Sequence, residues 1–163
     1  MNAEQMWELF SQKDKLEADY EAWAFGDDAD TLAALVLQGI KTATASAYPL
    51  YELEGEKLPK SGEYSVILNS QEEAVCIICT ANVFVVPFCE VGDRQAWKEG
   101  EGDRSLSYWR SVHERFFREE LAEAGLTFDE SMKVVCEEFI RVYPRQNPQI
   151  LLRFIVQHSD GKK

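Results

Sequence analysis

Three stretches of this sequence hold residue types able to move protons, attack a carbonyl or grip an anion. The first, Gly39-Ile40-Lys41-Thr42-Ala43-Thr44-Ala45-Ser46, puts one amine and three hydroxyls directly after a helix-ending glycine. It is no phosphate loop, because the loop glycines are absent and the lysine precedes a strand-like segment rather than a helix start offering amides. In an extended chain Lys41, Ala43 and Ala45 share one side while Thr42, Thr44 and Ser46 share the other, so Lys41 and Thr44 meet only across a bend. The plain alternative is an ordinary loop with a solvated lysine. The second stretch, Glu99-Gly100-Glu101-Gly102-Asp103, alternates carboxylates with glycines. Such oxygens suit Mg²⁺ or Ca²⁺, but EF-hand spacing is missing and Asp103 is placed to cap the helix that follows. Mutual repulsion, or burial beside a cation, can move one of these carboxyls towards neutral pH and make it an acid or base.

The third stretch carries Arg104, Arg110, Arg115 and Arg118 with His113, an excess of three positive charges opposed only by Glu114. It is the one candidate polyanion patch, although these arginines can equally pair with Glu114, Glu119 or the acidic N-terminal arm. His113 falls between Trp109 and Phe116-Phe117, which suits a satisfied core histidine as well as a functional one. Cys76-Ile77-Ile78-Cys79 has the spacing of a zinc or thioredoxin pair. It lies in an apolar strand run without a second pair, and residues three apart on a strand face opposite ways, so a structural role fits better.

Hydrophobic periodicity gives the elements that must position these groups. Residues 2 to 25 show Met6, Leu9, Phe10, Leu16, Tyr20 and Trp23 at three- and four-residue steps, with Asn2 and Gln5 as a capping-box variant. That pattern predicts one amphipathic helix, broken or whole, and residues 1–30 as a helical N-terminal extension. A second helix, 31–38, starts at Asp30 or Thr31 and stops at Gly39. Residues 64–68 and 74–79 read as a hairpin, the second strand continuing to Pro87. A helix over about 105–124 carries Leu106, Trp109, His113, Phe116, Phe117 and Leu121 as its stripe and ends at Gly125. Two last strands are expected at 133–143 and 150–157. Helices, a strand pair, a long helix and closing strands do not alternate as a doubly wound sheet does. They predict α+β, with mostly antiparallel strands curling into a small barrel flanked by helices.

The 163 residues, 45 % hydrophobic and 28 % charged, allow one ordinary domain with a sizeable core. A net charge of −12 argues against a chain held to nucleic acid or anionic lipid by its overall field. Nine acidic residues against Lys13 and Lys15 fall within the first thirty positions. No apolar run approaches membrane-spanning length and no leader pattern opens the sequence, so a cytoplasmic, membrane-free protein is expected. Four cysteines in apolar settings fit reduced thiols.

Gly39-Ile40-Lys41-Thr42-Ala43-Thr44, then Glu99 to Leu106, then Trp109-Arg110-x-x-His113-x-x-Phe116-Phe117, together resemble the ASCH-domain family in its longer bacterial branch. The resemblance spans roughly residues 30 to 145. It implies a β-barrel similar to the PUA domain and a cleft in which the Lys-Thr turn faces the acidic loop. Small members of that superfamily are metal-independent amidohydrolases of N4-acylated cytidines, and other relatives are ribonucleases or non-catalytic RNA-binding modules. The resemblance puts the reacting groups on Lys41, Thr44 and Glu99, with Glu101 the near alternative to Glu99. Thr42, Glu101, Arg104, Arg110 and His113 are the residues expected to contact substrate. The implied partner is a modified nucleoside or short single-stranded RNA, not DNA, and no cofactor or metal is required. Chemically, a threonine hydroxyl attacks only after a base takes its proton, which a desolvated lysine can do. Lys41 is then the base, Thr44 the nucleophile, and Glu99 orients the ammonium or protonates the leaving amine. Pairing with Glu99 favours the ammonium and burial favours the amine, so the two effects compete.

Overall fold

The computed structural model describes residues 1–145. Helix α1 (Ala3–Asp14) opens at Asn2, whose side chain accepts from the Gln5 amide while the Gln5 side chain accepts from the Asn2 amide. It ends at Lys15, which takes a left-handed conformation with φ 49°. The helix expected to run to residue 25 is therefore shorter, and Tyr20–Ala24 is strand β1, paired in parallel with β3. Aromatic spacing misled the reading: Tyr20 stacks on Trp7 and Trp23 meets the Phe25 ring, so each serves a different hydrophobic cluster. Alternation along a strand satisfied a spacing that also fits a helix.

Helix α2 (Ala29–Leu37) is capped by Asp28, which accepts from the Thr31 amide, rather than by Asp30 or Thr31. Asp30 instead accepts from the Ser70 amide and hydroxyl across the β3–β4 turn. Strand β2 (Ala43–Ala47) leads directly into α3 (Tyr48–Glu54), a helix that periodicity did not reveal. Its sequence signals are Pro49 in the first turn and Gly55 at the end with φ 65°. Strands β3 (Tyr64–Leu68) and β4 (Ala74–Pro87) form the expected hairpin. After a 3₁₀ turn at Phe88–Glu90 come α4 (Asp93–Glu99), α5 (Leu106–Glu123) and β5 (Lys133–Tyr143). Ser105, not Asp103, caps α5 by accepting from the Tyr108 amide, while Asp103 accepts from the Ser105 amide one turn earlier. The strand expected at 150–157 lies outside the described residues.

The sheet runs β1-β3-β4-β5-β2, antiparallel except for β1 with β3. It is α+β, curled into half a barrel whose outer strands β1 and β2 border the same cleft. Both faces of its middle are covered, which explains the unbroken apolar runs in β3 and β4. Val66 and Ile77 pack under Met6 and Phe10 of α1, while their neighbours Ile67 and Cys76 pack under Leu32 and Val36 of α2. Beneath α5, Trp109, Phe117 and Leu121 close on Phe88, Phe128, Val134 and Cys136. Cys76 and Cys136 are small core hydrophobes, and burial pushes both thiols up to about 12. Among the described residues no helix is long and apolar enough to cross a membrane.

Candidate functional site

Three segments distant in sequence meet where α2, α4 and α5 converge on the start of β2. Gly39, with φ 74°, turns the chain out of α2, and the Ile40 and Lys41 amides both donate to the Leu35 carbonyl. The Lys41 side chain is thereby directed inwards and is only 2 % exposed. From the other side, Gly100 ends α4 with φ 75° and lies against Ile40; a Cβ there would stand 2.7 Å from the Ile40 carbonyl oxygen. Only glycine permits that approach. The Lys98 carbonyl accepts from the Thr42 amide at 2.7 Å and from its hydroxyl at 3.4 Å, fastening the end of α4 to the entrance of β2.

This junction places Glu99, 1 % exposed, at the last position of α4 rather than in a loop. One of its carboxylate oxygens lies 3.6 Å from Lys41 Nζ and 3.3 Å from His113 Nε2. The other accepts from the Trp109 indole N–H and, at 3.3 Å, from Gln95 Nε2, which also donates to the Thr44 carbonyl. Burial alone would raise the Glu99 pKa. The charges of His113 and Lys41, with hydrogen bonds from His113 and Trp109, outweigh it and hold the carboxyl at about 2. For His113 burial opposes the charged form, yet Glu99 beside it prevails and the pKa is raised. Its Nδ1 lies 2.8 Å from the Trp109 carbonyl and must donate there, which leaves Nε2 facing Glu99; a proton on both nitrogens satisfies both contacts.

Lys41, Thr44, Glu99, Glu101 and His113 line one recess of about 50 Å³, with Phe25, Asp27 and Phe116 at its edges. Glu101, its side chain 14 % exposed, brings Oε2 to 3.5 Å from Lys41 Nζ. The Thr44 hydroxyl has no hydrogen-bond partner among the described residues. Thr44 also borders a larger cleft of about 830 Å³ between β1 and β2, so the recess and the cleft adjoin there. Ligand atoms of Glu99, Glu101 and His113 come within 4.8 Å of one another, as a divalent ion would need. The Lys41 ammonium, close to both carboxylates, already supplies the positive charge there.

Other residues expected to contact substrate are placed elsewhere. Thr42 turns its hydroxyl to Lys98 and stays out of the recess. Arg104 donates to the Trp97 carbonyl and covers its ring at 3.8 Å, and Arg110 donates to the Cys89 and Val91 carbonyls. Arg115 reaches Asp27 at 3.9 Å, while Arg118 pairs with Glu114 over the Phe128 ring. The four arginines of the cluster thus go to separate partners, because residues 104 to 118 straddle a turn and several faces of α5. Gln95 and Glu137 were not singled out from sequence, and Trp109 was read as a stripe and motif residue without its hydrogen bond to Glu99. Glu137 and Glu138 inside the apolar run of β5 were the one available signal, since acidic residues in a covered strand require a reason.

A family model described as ASCH domain matches residues 21–143. The ASCH domain from Lactobacillus crispatus JV V101 is 30 % identical, with a TM-score of 0.77 over 85 % of this chain and 95 % of that one. Protein EF3133 from Enterococcus faecalis V583 is 38 % identical, with a TM-score of 0.80 over 88 % of this chain and 90 % of that one. The hypothetical protein PH0355, 14 % identical with a TM-score of 0.53 over 76 % of this chain and 100 % of its own, shares the fold alone. No curated protein matches the sequence.

Proposed function

We propose, for a chain that belongs to the ASCH domain family, a metal-independent amidohydrolase that cleaves a small amide of the N4-acylated cytidine type. The observation that supports this reading is the convergence of Lys41, Thr44 and Glu99, from two segments some fifty-five residues apart, on one recess that adjoins a larger cleft. In the proposed reaction the Thr44 oxygen bonds to the amide carbon as its proton passes to the Lys41 amine. The tetrahedral adduct then breaks its C–N bond, and the leaving nitrogen takes that proton from Lys41. Water, giving a proton to the same amine, attacks the resulting acyl-threonine ester; the C–O bond to Thr44 breaks, the Thr44 oxygen takes that proton from Lys41, and the acid is freed.

The two carboxylates take different parts. Glu99, locked by Trp109, Gln95 and His113 and held at about 2, does not carry a proton near neutrality; it orients Lys41. Glu101 faces the recess and is the neighbour to which Lys41 passes its proton before attack. Lys98 and Arg94 hold Glu138 outside the recess, so neither competes for this exchange.

Incubation of the purified chain with N4-acetylcytidine tests the reading by release of acetate and cytidine. Lys41→Ala and Thr44→Ala should each remove the activity while circular dichroism stays that of the parent. Retained turnover in both variants would discard the assignment. Dialysis against a chelator should leave the rate unchanged.

A further inference from the structure

We propose that the cleft between β1 and β2 holds the uncharged heterocyclic part of the substrate, that Glu137 reads its N–H edge, and that the acidic lining turns phosphorylated ligands away. The proposal rests on reading the recess as the reacting end of this cleft. Glu137 stands directly opposite Thr44 in the β2–β5 register, so the two side chains project from the same side of adjacent strands, and both border the cleft. A ligand with its scissile amide at Thr44 therefore lays its remaining atoms over Glu137.

Glu137 differs from its neighbour in a way that points to a ligand. Glu138, one residue on and facing the other side, is held by Lys98 at 2.8 Å and Arg94 at 3.4 Å. Glu137 has no cation within ion-pair distance among the described residues, although it is substantially covered. Burial pushes its carboxyl up to about 7, with the Thr80 hydroxyl opposing and Glu63 and Glu21 adding to the rise. A covered carboxyl without a counter-charge is costly for folding, and groups of this kind concentrate where ligands bind. Nearby, Ser65, 9 % exposed, borders the same cleft and is a second polar group set into its wall.

The shape and charge of the walls fix the ligand class. The aromatic residues Tyr20, Trp23, Tyr51 and Phe116 line the cleft, an apolar wall that suits a planar base. A carboxyl beside them accepts an N–H from that base, and when protonated also donates to an adjacent ring nitrogen or carbonyl. Six carboxylates, from Asp19, Glu21, Glu56, Glu63, Glu120 and Glu137, border the cleft against the single ammonium of Lys57. A phosphate would enter a field of its own sign.

Titration of the full chain with cytidine and with cytidine 5′-monophosphate, by calorimetry at one ionic strength, tests this directly. Cytidine should bind, and the monophosphate should bind at least roughly tenfold more weakly. Loss of a charge-assisted contact predicts that Glu137→Ala weakens cytidine by about tenfold or more. Glu137→Gln, which keeps one acceptor, should restore part of that loss, and Glu138→Gln should bind as the parent does. Equal affinity for the two ligands, absence of cytidine binding, or parental affinity in Glu137→Ala would overturn the proposal. Acetate release measured alongside separates the two readings: turnover with no Glu137 dependence removes this one alone, and Glu137-dependent binding without turnover removes the amidohydrolase alone.

Discussion

At the scale of single residues the site is a set of opposed charges inside the fold, and their titration gives its signature. Glu99 is held at about 2, below its ordinary 4.5, so its contribution to stability is present above 4.5 and is lost as pH falls towards 2. The pKa of His113 is raised above 6.5, so its contribution is complete below 6.5 and is lost as pH rises through the folded value. The pair therefore stabilises most between these two limits. NMR titration of the His113 ring should give a midpoint above 6.5; one below it would mean that burial outweighs Glu99. Glu99→Gln leaves Lys41 and His113 covered without their common anion, and should cost ~3–5 kcal/mol in chemical denaturation. A cost well under ~1 kcal/mol would show that the network is solvated.

At the scale of elements, the decisive contact is α4 against the segment that enters β2. Gly100→Ala must place a Cβ against the Ile40 carbonyl while holding φ near 75°, and should cost more than ~1 kcal/mol for the backbone alone. Because it moves Glu99 away from Lys41, it should also remove turnover without altering any group that reacts. Parental melting and parental rate in this variant would show that the junction is not what aligns the site. At the start of α5, Ser105→Ala should cost ~1 kcal/mol by freeing the Tyr108 amide, measurable as a shift of the urea midpoint. The helices were legible where caps and stripes agree, as in the Asn2–Gln5 box and the Trp109-to-Leu121 face. They were not legible at residues 20–24, where aromatic steps of three suit a helix and a two-sided strand equally.

At the scale of the whole molecule, charge decides between ligand classes. The chain carries −12, and each arginine between 104 and 118 already lies against a carbonyl or carboxylate of the fold, so a phosphate would compete with existing contacts there. Short single-stranded RNA should show no retardation at low salt; retardation abolished by substituting these arginines would transfer the function to RNA binding. The half-barrel leaves β1 and β2 unjoined, and the gap between them is a cleft that Thr44 borders.

The sequence by itself determined the class of fold, the hairpin and the long helix, because these follow from local periodicity; the candidate trio is what the motif resemblance implies. It also determined that overall charge opposes a polyanion. Only the tertiary structure decided that Glu99 ends a helix, that Thr42 and the arginines serve internal contacts, and that Gln95, Trp109 and His113 fix one carboxylate. Those assignments depend on which side chains are brought within a few ångströms of one another across some sixty residues of chain. Burial and electrostatic pairing act through space, and a linear pattern carries no measure of that distance.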